Sequence, residues 1–201
     1  MITIINNETG NFASVLNMVK KTENDAELTD SYDKISKSKI LILPGVGNFD
    51  EVMGRIYDKK IDKAIFNALE NKCKLLGICV GMQALFDGSE EGKLDGLKLL
   101  KGKVMKFNFD DIKFKIPHMG WNNVQFNDKI NFKNFLSDNR FYFVHSYYVN
   151  CEDKNDVAGI TNHCDNFVSV VKKDRIYGAQ FHPEKSHFFG KRFLESFINA
   201  K

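Results

Sequence analysis

The spacing of apolar residues changes character near the middle of the chain. In the first half, short apolar runs alternate with stretches of helical period. ITIIN (2–6), KILILP (39–44) and KLLGIC (74–79) are too short and too uniformly apolar for helices, and read as strands buried on both faces. Between them, NFASVLNMVKK (11–21) places apolar side chains at 12, 15, 16 and 19, and residues 48–72 carry Ile61, Ile65, Ala68 and Leu69 on one face. VGMQALFDG (80–88) reads as the next helix. Strands alternating with helices predict a central, mostly parallel sheet flanked by helices.

The second half predicts something different. GKVMKF, WNNVQF, FYFVHSYYVN, VAGITNH, FVSVVKK and RIYGAQFH are short, rich in β-branched and aromatic residues and separated by turn signals. That is the pattern of an antiparallel, β-rich region. FFGKRFLESFINA (188–200) closes the chain as an amphipathic helix. With no repeats, low-complexity tract or Pro/Gly/Ser-rich linker, residues 1–201 are expected to form a single α/β domain.

Composition narrows the functional class. A net charge of +3, spread over interleaved lysines and acids, offers no basic stripe for nucleic acid. The candidate stretches KFNFDDIKFK (106–115) and VVKKDR (170–175) read as strands and turns with solvated lysines. No apolar run reaches the roughly 18–20 residues of a membrane span, and MITIINNETGN lacks the pattern of a secretory signal, so a cytoplasmic location is expected. The four cysteines (73, 79, 151 and 164) show no C-x-x-C and no zinc-like spacing with histidine, so no metal or cofactor is expected. Cys73, Cys151 and Cys164 read as buried free thiols.

Cys79 differs, because GICVG (77–81) fits the G-x-nucleophile-x-G turn between a strand and a helix. Such a corner brings backbone segments so close that side chains two residues to either side must nearly vanish. The thiol would project at a helix N-terminus, which favours thiolate, and the Val80 N–H would face an oxyanion formed by attack at Cys79. A nucleophile needs a base and the base an orienting group. AQFHPEKS (179–186) supplies His182 and Glu184 at a strand end, around the stiff Pro183. His118 and His145 lie in IPHMGWN and FVHSYY without an acidic neighbour in sequence, and His163 and His187 read as loop or surface residues. LPGVGNF (43–49) follows a strand, and could turn N–H groups toward an anion or simply end that strand.

Taken in order, PGVGNF, GICVGMQ, PHMGWN, FYFVHSYYV and QFHPEKS resemble the triad-type (class I) glutamine amidotransferases. PHMGWN and FVHSYY resemble more particularly the glutaminase subunits of imidazole glycerol phosphate synthase. The resemblance implies Cys79 as nucleophile, His182 as general acid and base, and Glu184 as orienting carboxylate. It implies that Gln83 and the backbone at Ser146 and Tyr147 hold L-glutamine. Val80 N–H and the loop Gly45, Val46 and Gly47 would form the oxyanion hole, with one peptide of that loop acting as a switch. Asn11, Trp121 and Lys185 would face a (β/α)8-barrel synthase subunit in a heterodimer. That partner would receive the ammonia and make imidazole glycerol phosphate and aminoimidazole carboxamide ribotide for histidine biosynthesis. The N-terminal motif departs from the family's D-Y-G-x-G-N: NNETGN keeps only Gly10 and Asn11, and position 80 is Val in place of Leu. Two other readings stand: a paralogous glutaminase feeding a sugar amidotransferase of surface-glycan synthesis, and a Cys-His hydrolase or peptidase.

Overall fold

The computed structural model describes residues 1–22, 24–109, 114–128, 130 and 139–200. The first half runs β1 (Ile2–Ile5), α1 (Phe12–Lys20), β2 (Ala26–Thr29), α2 (Tyr32–Ser36), β3 (Ile40–Gly45), α3 (Phe49–Asp58), α4 (Ile61–Glu70), β4 (Lys74–Cys79) and α5 (Val80–Gln83). It continues through β5 (Gly88–Ser89), β6 (Gly102–Lys106), β7 (His118–Asn123), β8 (Gln125–Phe126), β9 (Arg140–His145), β10 (Tyr147–Cys151) and β11 (Val157–His163). β12 (Asp165–Lys173), β13 (Ile176–Ala179) and α6 (His187–Asn199) complete it. Residues 110–113 of the lysine-bearing stretch 106–115 lie outside the described residues.

Among the described residues, one mixed sheet has the order β2-β1-β3-β4-β13-β12-β10-β6-β5, with β11 branching from β12 and β8 pairing with β11, and β7 pairs separately with β9. The expected division holds: pairing is parallel from β2 to β13, and antiparallel from β13 through β12 and β10 to β6. β3 and β4 are buried over almost their whole length, as their unbroken apolar runs require of strands covered on both faces. On β9, by contrast, Phe141 and Phe143 are fully buried while Tyr142 between them and Val144 after them are not. Phe141 stacks on Phe181 with centroids 3.9 Å apart and meets Phe193 of α6 edge-on. Each fully buried aromatic of this kind contributes roughly 2–3 kcal/mol.

Two helices differ from their sequence patterns. The helical stretch 48–72 breaks at Lys59–Lys60, where Lys60 adopts a left-handed φ of 56°, leaving α3 and α4 as separate cylinders. α3 starts with Asn48 accepting from Asp50 N–H, carries Asp50 and Glu51 in its first turn and has Arg55 in its last, all matched to the helix dipole. α5 spans only Val80–Gln83, although the periodicity extends to residue 88. The segment 97–99 takes its next carbonyls: Leu97 N–H donates to Ala84 O, Leu99 N–H to Leu85 O and Lys98 N–H to Phe86 O. Those bonds replace the ladder that would have continued the helix.

The decisive feature is β13, late in sequence but inserted beside β4. Ala179 pairs with Ile78, so Gln180 and His182 leave the sheet next to Cys79. On the other side Gly45 pairs with Cys79 itself, bringing the end of β3 to the same point. Three adjacent carboxyl ends of strands thus open onto one place, where open α/β sheets hold their ligands.

Candidate active site

Close packing at that point explains the glycines. A Cβ on Gly81 would fall onto the Leu43 carbonyl, one on Gly77 onto the Gly81 carbonyl, and one on Gly45 would lie 2.7 Å from Gly81 N. Between them Cys79 has φ 55° and ψ −114°, a conformation that costs a non-glycine residue roughly 1–3 kcal/mol and that the surrounding packing must enforce. The residue is only 4 % exposed, yet it lines a cavity of about 310 Å³ together with Val46, Gly47, Val80, Gln83, Glu91, Ser146, Tyr147 and His182. Because α5 is a single turn, the dipole it presents to the thiol is that of one turn of peptides only.

His182 closes the site from β13. Its N–H donates to Tyr142 O on β9, and the Ser186 hydroxyl donates to its carbonyl, fixing the backbone on both sides of the ring. Nδ1 lies 2.8 Å from Glu184 Oε1, and both side chains are 2 % exposed. Burial alone would lower the imidazole pKa; the charge of the Cys79 sulfur, with the charge and hydrogen bond of Glu184, outweighs it and carries it up to about 10. Nε2 is buried and has no hydrogen-bond partner among the described residues.

The sequence pattern did not single out Gln180. Its side chain is fully buried, Nε2 donates toward Cys79 Sγ at 3.7 Å, and Oε1 accepts from Gln83 Nε2 at 3.1 Å. Gln83 also donates to Tyr147 O at 3.1 Å. Glu91 was likewise missed. It lines the cavity, its Oε2 accepts from Phe49 N–H at 2.9 Å, and burial raises its carboxyl pKa. The signal for Gln180 lay in its register two residues before His182; Glu91 sits in a turn whose pairing to α3 no local pattern announces.

Sequence-family comparison adds to this geometry. The profile of "Glutamine amidotransferase class-I" matches residues 3–200. The chain belongs to that family. It is 50% identical over 204 residues to imidazole glycerol phosphate synthase subunit HisH 2 of Methanococcus maripaludis, covering 98% of each chain. It is 40% identical over 204 residues to the HisH subunit of Leptospira borgpetersenii, covering 99% of this chain and 100% of that one. A solved glutamine amidotransferase superposes with a TM-score of 0.78 at 16% identity, over 98% of this chain and 97% of the other, which speaks to the fold. In this class-I amidotransferase no helix among the described residues is long and apolar enough to cross a membrane.

The remaining expected residues fall into place unevenly. Gly45 meets the elbow, and Gly47 has φ +97°, which glycine adopts freely. Val46, in the loop expected to form or complete the oxyanion hole, donates its N–H to Thr9 O at 3.0 Å. The Ser146 carbonyl accepts from Phe107 N–H, and the Tyr147 carbonyl accepts from both His145 and Gln83, which fills its two lone pairs. Asn11 is exposed at the start of α1, and Lys185 is exposed with Nζ 5.7 Å from the Tyr142 ring. Trp121, 47 % exposed, meets Tyr142 edge-on and stacks on His187. Burial pushes the Cys73 and Cys151 thiols up to about 12, so those two are inert at neutral pH.

Proposed function

We propose that residues 1–201 form one glutaminase domain serving an imidazole glycerol phosphate synthase in the cytoplasm. The observation that carries this reading is the buried His182–Glu184 pair, 2.8 Å apart, facing the cavity beside a strained cysteine elbow. Cys79 attacks the side-chain carbonyl of L-glutamine as thiolate, with His182 as its imidazolium partner and Glu184 holding the ring's Nδ1–H. Val80 N–H stabilises the oxyanion. His182 gives its proton to the departing nitrogen, the C–N bond breaks, and ammonia leaves a γ-glutamyl thioester. Water, deprotonated by His182, then cleaves the thioester, releasing glutamate and the thiol. Glu91 supplies a negative charge in the cavity for the substrate's α-ammonium group.

The oxyanion hole is incomplete while Val46 N–H is bonded to Thr9 O. Turning that peptide into the cavity adds a second donor, and one such donor is worth roughly 10²–10³ in kcat. Low activity of the lone chain follows. Asn11, Trp121 and Lys185, with the exposed Met119 and Phe188, form the face on which a (β/α)8-barrel synthase subunit docks in a heterodimer, receives the ammonia directly and completes the lyase reaction.

The test is glutamine hydrolysis with and without the barrel subunit and its ligand. We expect strong stimulation in the complex, and Cys79→Ala to abolish turnover with the fold retained. Retained turnover in that variant removes the thiol from the mechanism. Stimulation by a sugar-modifying synthetase in place of the barrel reassigns the chain to a glycan pathway.

A further inference from the structure

His182 and Tyr142 of β9 face one another almost as an antiparallel strand pair. In the hydrogen-bonded form of such a pair, two residues exchange both N–H···O bonds. Here only one bond is direct: His182 N–H donates to Tyr142 O at 2.9 Å. The return bond runs through a side chain. Tyr142 N–H donates to Ser186 Oγ at 3.0 Å, and the Ser186 hydroxyl donates its own hydrogen to His182 O at 2.6 Å. These groups allow no other sense of bonding, because a backbone N–H only donates, a carbonyl only accepts and a hydroxyl has one hydrogen. Ser186 is fully buried, so bulk water does not compete for the bridge.

The hydroxyl is itself held in place from α6. Ser186 N–H donates to Pro183 O and Ser186 O accepts from Gly190 N–H, each at 3.0 Å. A Cβ on Gly190 would fall onto the Pro183 carbonyl, so the first turn of α6 presses against the turn that follows His182. His182 O also accepts from Lys185 N–H at 3.0 Å, and with the hydroxyl both its lone pairs are filled. These bonds fix the direction of the His182 carbonyl, and with it a ψ of 96°. That angle decides where Pro183 and Glu184 lie relative to the imidazole, because the proline ring leaves φ of residue 183 almost no freedom. On its far side β9 is held by β7, with Tyr142 opposite Trp121.

We propose that Ser186 is a positioning residue: its hydroxyl is a spacer between β9 and the His182 carbonyl, and so aims the imidazole at Cys79 while keeping Glu184 on Nδ1. This rests on the glutaminase reading and adds the group that sets the aim of its base. Without the hydroxyl, Tyr142 N–H is a buried donor that needs another partner. The lone pair freed on His182 O is the acceptor already turned its way. Closing on it directly, at about 3 Å, draws the carbonyl toward β9 and turns the ring away from the sulfur.

The test compares Ser186→Ala with Ser186→Thr, which keeps the hydroxyl. In the complex with the synthase subunit, Ser186→Ala should lower kcat for glutamine hydrolysis at least about tenfold, the scale of a base displaced by a fraction of an ångström. KM should stay within about twofold, because Ser186 does not line the cavity. Ser186→Thr should hold kcat within about threefold of wild type. Ser186→Cys keeps a longer and weaker bridge, should fall between the two, and carries the comparison with Thr if the Ala variant does not fold. A Ser186→Ala kcat within twofold of wild type, or Ala and Thr variants that lose kcat equally, overturns the proposal. A second arm needs no turnover. Nitrogen NMR of the labelled chain should show the His182 ring titrating at about 10 in the wild type and the Thr variant. In Ser186→Ala it should titrate at least about one pH unit lower, since the ring no longer faces the Cys79 sulfur and Glu184 squarely. An unchanged titration in a folded Ser186→Ala chain overturns the spacer. If the wild-type complex hydrolyses no glutamine, the glutaminase reading fails, and the titration alone decides whether Ser186 aims the ring.

Discussion

Replacing Glu184 with Gln removes a charge and almost nothing else. The amide can keep its oxygen 2.8 Å from His182 Nδ1, where Oε1 stands now. Its nitrogen would take the place of Oε2, which is buried with no partner among the described residues, so the swap introduces no clash with a donor. What disappears is the attraction between a carboxylate and an imidazolium, two unit charges about 4 Å apart. At an effective dielectric of about 20 that attraction is about 4 kcal/mol, and the difference between a charge-assisted and a neutral hydrogen bond is about 1–2 kcal/mol. Taking about 2–4 kcal/mol as the loss in a transition state that needs His182 protonated, kcat/KM should fall roughly 30- to 1,000-fold. Glutamine hydrolysis in the complex, with glutamate release followed directly, measures this. The pH dependence gives an independent check. The folded-state pKa of His182 is raised above the ordinary 6.5, so the stability it contributes is fully present below 6.5 and is lost as pH rises through about 10. Without the carboxylate the upper limit moves down, and the alkaline limb of kcat/KM for glutamine hydrolysis, which needs His182 protonated, should move with it. If Glu184→Gln stays within threefold of wild type and the alkaline limb does not shift, the carboxylate has no electrostatic role and the reasoning fails.

Other perturbations address the scaffold and the neighbours of the thiol. Gly81→Ala drives a methyl group onto the Leu43 carbonyl, and should cost about 3 kcal/mol or more in urea unfolding, with loss of activity. Gln180→Leu removes the donor to Cys79 Sγ and strands one hydrogen of Gln83; kcat/KM should fall about 10- to 100-fold while the chain still folds. Lys74→Met removes an ammonium group that caps the last carbonyls of α6, donating to Phe197 O, Ile198 O and Ala200 O. Thermal unfolding should report a loss of about 1–2 kcal/mol, with turnover in the complex unchanged because α6 does not line the cavity.

Local chemistry determined much of this protein in its sequence. The uniform apolar runs announced β1, β3 and β4, because a strand covered on both faces has no polar side to alternate with. The glycines flanking Cys79 announced the elbow, because any Cβ there strikes backbone. The residues His182-Pro183-Glu184 announced their own pairing, because a stiff turn brings positions two apart within hydrogen-bond reach. Nothing local could announce that β13 inserts next to β4, which is what carries His182 and Gln180 to the thiol across about a hundred residues of chain. Nor could periodicity foresee that α5 stops at Gln83, since residues 97–99, distant in sequence, claim the carbonyls it would have used. The direction of the Val46 peptide belongs to the same class. A residue's type sets which bonds it can make; only the packed chain decides which partner is near enough, and which of its hydrogens are already spent.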